Sequence, residues 1–415
     1  MDDMDLNLKI EAQIKQDSKD FIVEEISQNG TILKKDSIYT AQDLGFESKE
    51  GKFAIFVLQK ENWNTMQALR EISRRFRRGI KSVAFAGTKD RRSISTQLCS
   101  IYGVNASELS NINIKDIKIN GSWQSDKQVE LGYLTGNHFI IRLHANPNNV
   151  DNILKIHQAL GGVFPNFFGS QRFGNRENNV DIGINIIKGN FESAVMQFLT
   201  DTNNENNQEA LTARKRLKEE LNYKTALSYF PSYLKYELKV IEYLNIHPGD
   251  YANALRRIPR QILLMFAHSV QSYIFNMEIN ERINQQQTHP NKNDLVCRPN
   301  DYGFPNINQT FMCEENGRTD VFLVGELVGY DSKQINDYQK SVLDSLFLDI
   351  QDFKAKRMPE LNCKGKRRVM FSPYKDFNAS TTDTSIIMEF SLPSGAYATS
   401  LLDKFINQKI LLNDY

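Results

Sequence analysis

The chain has 415 residues, 40% hydrophobic and 24% charged, with 51 Lys and Arg against 50 Asp and Glu. That composition suits a soluble globular protein, and the length calls for two domains or one domain carrying a large insertion. A net charge of only +1 excludes a chain that is basic throughout, so nucleic acid could be held only by a local concentration of cations.

In chain order, residues 21–25 are β-rich and end in two carboxylates, and residues 53–58 are apolar enough for a strand buried on both faces. A helix is expected next, capped by Asn64 or Thr65 and ended by Gly79. Met66, Leu69, Ile72 and Phe76 would form its apolar stripe, with Arg70, Arg74, Arg77 and Arg78 off it. A short strand at 82–86 runs into the loop Gly87-Thr88-Lys89-Asp90-Arg91-Arg92. Ile94, Thr96, Leu98 and Ser100 then alternate with Ser95, Gln97 and Cys99 as in another strand. Residues 131–143 also read as strand, interrupted by a Gly136-Asn137 turn signal. From about residue 163 the texture changes to a Gly- and Phe-rich loop at 164–174. Helices follow at 191–199, 209–221 and 260–282, with polar loops at 201–208 and 285–293. Strand character returns only at 385–390, before a Pro-Ser-Gly turn and a terminal helix from Ala398. This order reads as a sheet domain interrupted by an inserted helical domain, with the last strands completing the first sheet.

The segment 70–92 carries nine cations (Arg70, Arg74, Arg75, Arg77, Arg78, Lys81, Lys89, Arg91, Arg92) against Glu71 and Asp90, a local charge of +7. Such clustering can neutralise several phosphates; a solvated basic helix face is the commoner meaning of a charge run. Asp90 sits between Lys89 and Arg91-Arg92, just after Gly87, which lets backbone approach a ligand. Opposite charges on both sides favour its anionic form, and a carboxylate so placed can attack an electron-poor carbon. A turn aspartate in a surface salt bridge is the plainer alternative. In the loop 164–174, Asn166 offers a donor and an acceptor for a uracil edge, Phe168 a stacking face, and Arg172 a phosphate contact; a hydrophobic seal between domains would use the same residues. Lys364-Gly365-Lys366-Arg367-Arg368 is either a phosphate contact or a basic surface turn, and 392–400 either a pocket wall or a plain strand-to-helix turn.

Cys99, Cys297, Cys313 and Cys363 include no C-x-x-C pair, and the six His residues are scattered, so reduced thiols and no metal are expected. The acidic start lacks the order of a signal peptide. The strongest apolar run, 262–267, falls far short of the ~20 residues that span a bilayer. No membrane partner and a cytoplasmic location are expected.

Several segments together resemble the TruD family of tRNA pseudouridine synthases. They are K-x-x-x-x-D-F-I-V-E-E at 15–25, F-A-G-T-K-D-R-R-S-I-S-T-Q at 85–97, P-N-F-F-G-S-Q-R-F-G at 165–174, S-Y-I-F-N at 272–276, R-R-V-M at 367–370 and L-P-S-G-A-Y-A-T-S at 392–400. The R-R form of the aspartate motif and the long insertion resemble the archaeal and eukaryotic branch. The resemblance implies an α+β fold: a mixed, mostly antiparallel sheet forming a catalytic domain (1–165 and 365–415), with a large, mainly helical α/β insertion, the TRUD domain (166–364). It implies a monomeric isomerase that needs no cofactor and converts a uridine of tRNA, by family default uridine 13 in the D-stem, to pseudouridine. Asp90 would be the catalytic nucleophile and Lys15 its basic partner. Phe21, Asn166, Phe168 and Tyr397 would surround the flipped base, and Arg74, Arg77, Arg78, Lys89, Arg91, Arg92 and Arg172 would meet the RNA backbone. Ser93 stands where alanine is common, and Ser170 at a variable place in the glycine loop. Activity on other RNAs and a non-catalytic RNA-binding role are the alternatives. A methyltransferase or dinucleotide enzyme would want a G-x-G-x-x-G loop between strand and helix, which is absent.

Overall fold

β-branched and aromatic runs dominate the first third of the chain, and they pair into one sheet. The computed structural model describes residues 8–47, 49–333, 335–355 and 357–407. Its strands are β1 (Phe21–Ile26), β2 (Phe53–Glu61), β3 (Val83–Phe85), β4 (Ile94–Tyr102), β5 (Ile117–Ser125), β6 (Gly136–Leu143), β7 (Val163–Pro165), β8 (Leu295–Pro299), β9 (Pro305–Met312), β10 (Phe322–Leu327), β11 (Lys366–Val369), β12 (Phe371–Pro373), β13 (Lys375–Thr381) and β14 (Ile386–Pro393). The main sheet runs β13-β14-β6-β1-β4-β2-β5, with β3 also on β4. All its pairings are antiparallel except β1 with β4. The fold is α+β, as expected, and the last strands do join the first sheet through β14 on β6.

One detail of that sheet positions everything that follows. β1 and β3 share a single edge of β4: β1 lies beside residues 94–96 and β3 beside 99–101. Between them the edge is open at Gln97 and Leu98. β4 is buried along all but its last residue, so the alternation of apolar and polar side chains marks two buried faces, and its polar face needs partners.

Local structure departs from expectation in several places, among them β5 and the helices Val150–Leu160 and Lys235–Ile246, which no expectation named. The first helix spans Thr65–Arg75, with Asn64 accepting from Met66 N at 2.8 Å. It ends because Arg77 turns left-handed (φ 53°), not at Gly79. Its buried stripe is Ala68, Leu69, Ile72 and Ser73, while Met66 is exposed. Gly136-Asn137 makes no turn: it starts β6, paired on one side with Ile26 and on the other with Pro393. A Cβ on Gly136 would lie 2.3 Å from Leu392 O, so close strand approach explains that glycine. Finally, strands do not return only at 385. β8 to β11 form a four-stranded sheet in the order β11-β10-β8-β9, and β7 pairs with β12. β9 (PNINQTFM) is polar and largely exposed, so it carries no hydrophobic alternation for sequence reading to find.

Between β7 and β8 the chain is helical, built round Arg260–Asn284. That helix packs into several apolar clusters along its length: Leu263 and Phe266 in one, Ala267, Val270 and Ile274 in a second, Phe275 and Ile279 in a third. The helix Asn179–Lys188 crosses it where Gly183 brings the backbones together, and a Cβ there would stand 2.2 Å from Phe266 O and 2.8 Å from Val270 Cγ2. Overpacking of this kind costs about 1–3 kcal/mol. Gly183→Ala is therefore expected to lower the unfolding free energy by about that amount, read as a lower midpoint of urea unfolding; an unchanged midpoint would mean the helices can part at no cost.

Candidate active site

The gap in the β4 edge is filled by polar groups from the loop that follows β3. Glu25, at the end of β1, is fully buried; its Oε1 accepts from Leu98 N at 2.9 Å and its Oε2 from Lys89 Nζ at 2.7 Å. Gln97 donates to Gly87 O at 2.9 Å and accepts from Thr65 Oγ1, which in turn accepts from Lys89 N at 3.0 Å. The loop 87–89 is thus tied to the sheet from both directions, and Asp90 comes next at its outer end.

Asp90 is held by three hydrogen bonds at two of its atoms. Lys15 Nζ donates to its Oδ2 at 2.9 Å, while Lys60 Nζ and Ser93 Oγ each donate to its backbone oxygen at 2.8 Å. The lysine of the ion pair is 6% exposed and the carboxylate 54%, so the cation is walled in while the anion faces outward. Lys15 adopts φ 56° and sets its ammonium 4.3 Å over the Phe21 ring. Phe21 itself is buried in the sheet core against Phe139. Lys60 is fully buried, and burial pushes its ammonium down to about 7.

The second group of expected residues assembles round Arg368. Its guanidinium donates to Asn166 Oδ1 at 2.7 Å, to Asn166 O at 3.1 Å and to Gly395 O. It also lies 4.2 Å from the Phe168 ring centre and 5.1 Å from that of Tyr397. Asn166 donates to Val369 O at 2.9 Å, and Asn276 brackets the Phe168 backbone, accepting from its N at 2.9 Å and donating to its O at 3.0 Å. Arg172 stacks 5.3 Å from Phe168. These side chains line a cavity of about 840 Å³, together with Thr135, His268 and Arg367. Burial and the neighbouring Arg172, Lys366 and Arg260 push His268 down to about 4, which leaves a neutral imidazole in a cationic wall.

The structure therefore gathers Asp90, Lys15 and Phe21 in one place and Asn166, Phe168, Arg172 and Tyr397 in another. Asp90, Lys15 and Phe21 are not among the residues that line the cavity; residues 131–134 run from the cavity wall to the start of the loop that carries Asp90. Leu134 lines the cavity, and its Cδ1 lies 3.8 Å from the Cβ position of Gly87; Gly132 N donates to Ala86 O at 2.7 Å. Arg77, Arg91 and Arg92 are exposed, Arg92 donating to Gln16 O at 3.0 Å. Arg74 is exposed and paired with Glu71 at 2.8 Å, and Arg78 donates to Gly103 O. Two expectations are corrected. Lys89 is buried on Glu25 and cannot reach an RNA backbone, because the edge gap consumes it. Arg368 is 8% exposed, so within the basic cluster at 364–368 it is an internal cross-link and not a phosphate contact. Sequence reading also missed Lys60 and Asn276. The one available signal for Lys60 was a lysine inside an otherwise buried strand.

The TruD family model, described as tRNA pseudouridine synthase D, matches residues 7–405. The chain belongs to that family. Family members are isomerases. Among relatives, a probable tRNA pseudouridine synthase D of Methanosarcina mazei is 32% identical, over 95% of this chain and 93% of its own length. One of Archaeoglobus fulgidus is 31% identical over 96% and 95%. A crystal structure of a TruD protein from Methanosarcina mazei superposes with a TM-score of 0.75 at 30% identity, covering 97% of this chain and 95% of that one.

Two properties of this family member follow from its buried cations. Folded Lys60 releases its proton near pH 7, whereas an unfolded lysine holds it to 10.5. The unfolded chain thus binds more protons between those values, and stability should rise with pH across that window. Lys60→Met should flatten the rise, as read by chemical denaturation at pH 7.5 and 9.5; equal slopes would show that the buried ammonium stays charged. For Arg368, lysine cannot both fork onto Asn166 and stack on the rings. Arg368→Lys should lower hydrogen-exchange protection of the Asn166 amide, which donates to Met370 O at 2.8 Å, and unchanged protection would deny the guanidinium that role.

Proposed function

We propose that the protein isomerises a uridine of tRNA, uridine 13 of the D-stem, to pseudouridine in the cytoplasm, with Asp90 as the catalytic nucleophile. The observation that carries this reading is the ion pair of a buried Lys15 with an outward-facing Asp90, in a chain whose whole described length resembles tRNA pseudouridine synthases. Residues 1–165 with 365–415 form the catalytic domain and 166–364 the insertion. The cavity against Arg368 receives the extruded base, whose flipping costs a few kcal/mol. Phe168 and Tyr397 offer it apolar faces. Asn166, already bonded to Arg368 and Val369, fixes the cavity wall and presents its remaining amide hydrogen to the uracil edge. Lys15 orients the Asp90 carboxylate toward the nucleoside. The C1′–N1 bond then breaks, the base turns, C5 bonds to C1′, the C5 hydrogen leaves as a proton and N1 takes one up. Arg74, Arg77, Arg78, Arg91, Arg92 and Arg172 supply phosphate contacts that should make binding fall with salt.

The test uses tRNA transcripts tritiated at uracil C5. The wild type should release tritium, and Asp90→Asn should bind the same RNA with similar affinity and release none. Release at the wild-type rate by Asp90→Asn would remove the carboxylate from the reaction.

A further inference from the structure

Residues 129–134 form a short tip braced from several sides. Val129 and Leu134 are buried in the apolar cluster that contains Ala86 and Leu98. Val129 N donates to Ser100 Oγ at 3.0 Å, Gly132 N to Ala86 O at 2.7 Å, Tyr133 N to Glu130 O at 3.0 Å and Leu134 N to Gly132 O at 2.8 Å. The Tyr133 ring packs 5.9 Å from that of Phe46. Gly132 takes φ 90°, a left-handed conformation that glycine adopts without strain. From this fixed backbone Leu131 projects with 78% of its surface exposed.

A single exposed leucine is ordinary on a protein surface. This one differs in where it stands and in how its backbone is fixed. It lines the cavity that holds Phe168 and Tyr397, and its neighbour Gly132 is bonded to Ala86, four positions before Asp90. Arg172, Lys366 and Arg367 line the same cavity, so the occupant that fits is anionic. An apolar tip beside a cationic cavity is unsuited to cover by an ordinary protein core, but it suits a nucleic-acid base stack, which is apolar between its planes and charged at its backbone.

We propose that Leu131 is a wedge that enters the base stack of bound RNA at the step the target base vacates. The inference rests on the functional reading above and adds to it a residue that acts on the RNA stack and not on the flipped base. Apolar side chains inserted at a base step hold it unstacked, and flipping is opposed by the stacking that the base gives up. Leu131 offsets that loss by occupying the vacated step, and the braced tip lets it do so without ordering a mobile loop.

The test compares two tritiated tRNA transcripts that differ only at the target uridine, which is either stacked in its stem or placed in a bulge where it is already extruded. Leu131→Ala should lower kcat/KM by about tenfold on the stacked transcript, the scale of a cost near 1.4 kcal/mol, and by less than about twofold on the bulged one. Leu131→Met, apolar and similar in volume, should restore the stacked rate. In the Asp90→Asn background, 2-aminopurine beside the target should brighten on binding, and less so when Leu131→Ala is added. Equal rates for wild type and Leu131→Ala on both transcripts would overturn the wedge. An equal loss on both, pointing to damage in the tip, would overturn it too. If the wild type converts neither transcript, the functional reading falls and takes the wedge with it.

Discussion

An ammonium sealed from water with a carboxylate as its partner is the constraint on which this structure turns. Lys15 gives up nearly all its hydration, and a buried charge is tolerated only when paired. Its partner lies 75 residues away, on a loop that could adopt many shapes if left alone. Residues 8–17 form no regular strand; they are fixed by isolated bridges such as Ile10 to Ile406 and Gln13 to His144. The pairing of Lys15 therefore ties an irregular N-terminal segment and the Asp90 loop to each other. The left-handed backbone at Lys15 is a local cost, of the kind that persists where the surroundings over-determine the conformation.

The loop could not be aimed in this way without the interrupted edge of β4. A continuous neighbour strand would have used the backbone N–H and C=O of Leu98. Because the pairing with β1 stops and that with β3 starts on either side of this point, Leu98 N donates to Glu25 and Leu98 O accepts from Ala86 N instead, while the Gln97 side chain reaches Gly87 O. Three lysines then divide the work. Lys89 neutralises Glu25 inside the gap, Lys60 grips the backbone of Asp90, and Lys15 grips its carboxylate. The basic run 70–92 therefore contains an internal strut, Lys89, beside exposed arginines such as Arg77 and Arg91.

That division marks the limit of what the sequence conveyed. Apolar periodicity found β1, β2, β3, β4 and the helices near 191–199, 209–221 and 260–282, and motif order singled out Asp90, Lys15, Phe168 and Tyr397 as candidates. Burial of a charge leaves no periodic trace: Lys89 and Arg91 look alike in the sequence, as do Arg367 and Arg368, and only the opening in the sheet edge or the ring of aromatics tells them apart. The strands of the smaller sheet were missed for a related reason. β9 has few apolar residues and β8 only five residues, interrupted by pairing shifts, so neither shows the alternation a half-buried strand displays. Gly136 was misread because close approach to Leu392 O and a hairpin turn both call for glycine.

The site and the attachment of the intervening helices share one location for a mechanical reason. The chain leaves the first sheet region at β7 and returns at β12, and these two strands pair antiparallel, Phe371 to Pro165. Asn166 and Arg368, the cross-linked pair of the cavity wall, lie immediately beyond that pairing. A motion that separated them would strip Arg368 of its Asn166 acceptors and leave a buried cation short of oxygens. Such a loss is costly in a low-dielectric site. The same bonds that shape the cavity therefore resist bending of the two connecting strands. Phe168, held by Asn276 from the long helix and by Arg368 from β11, keeps its place because three separately folded segments agree on it.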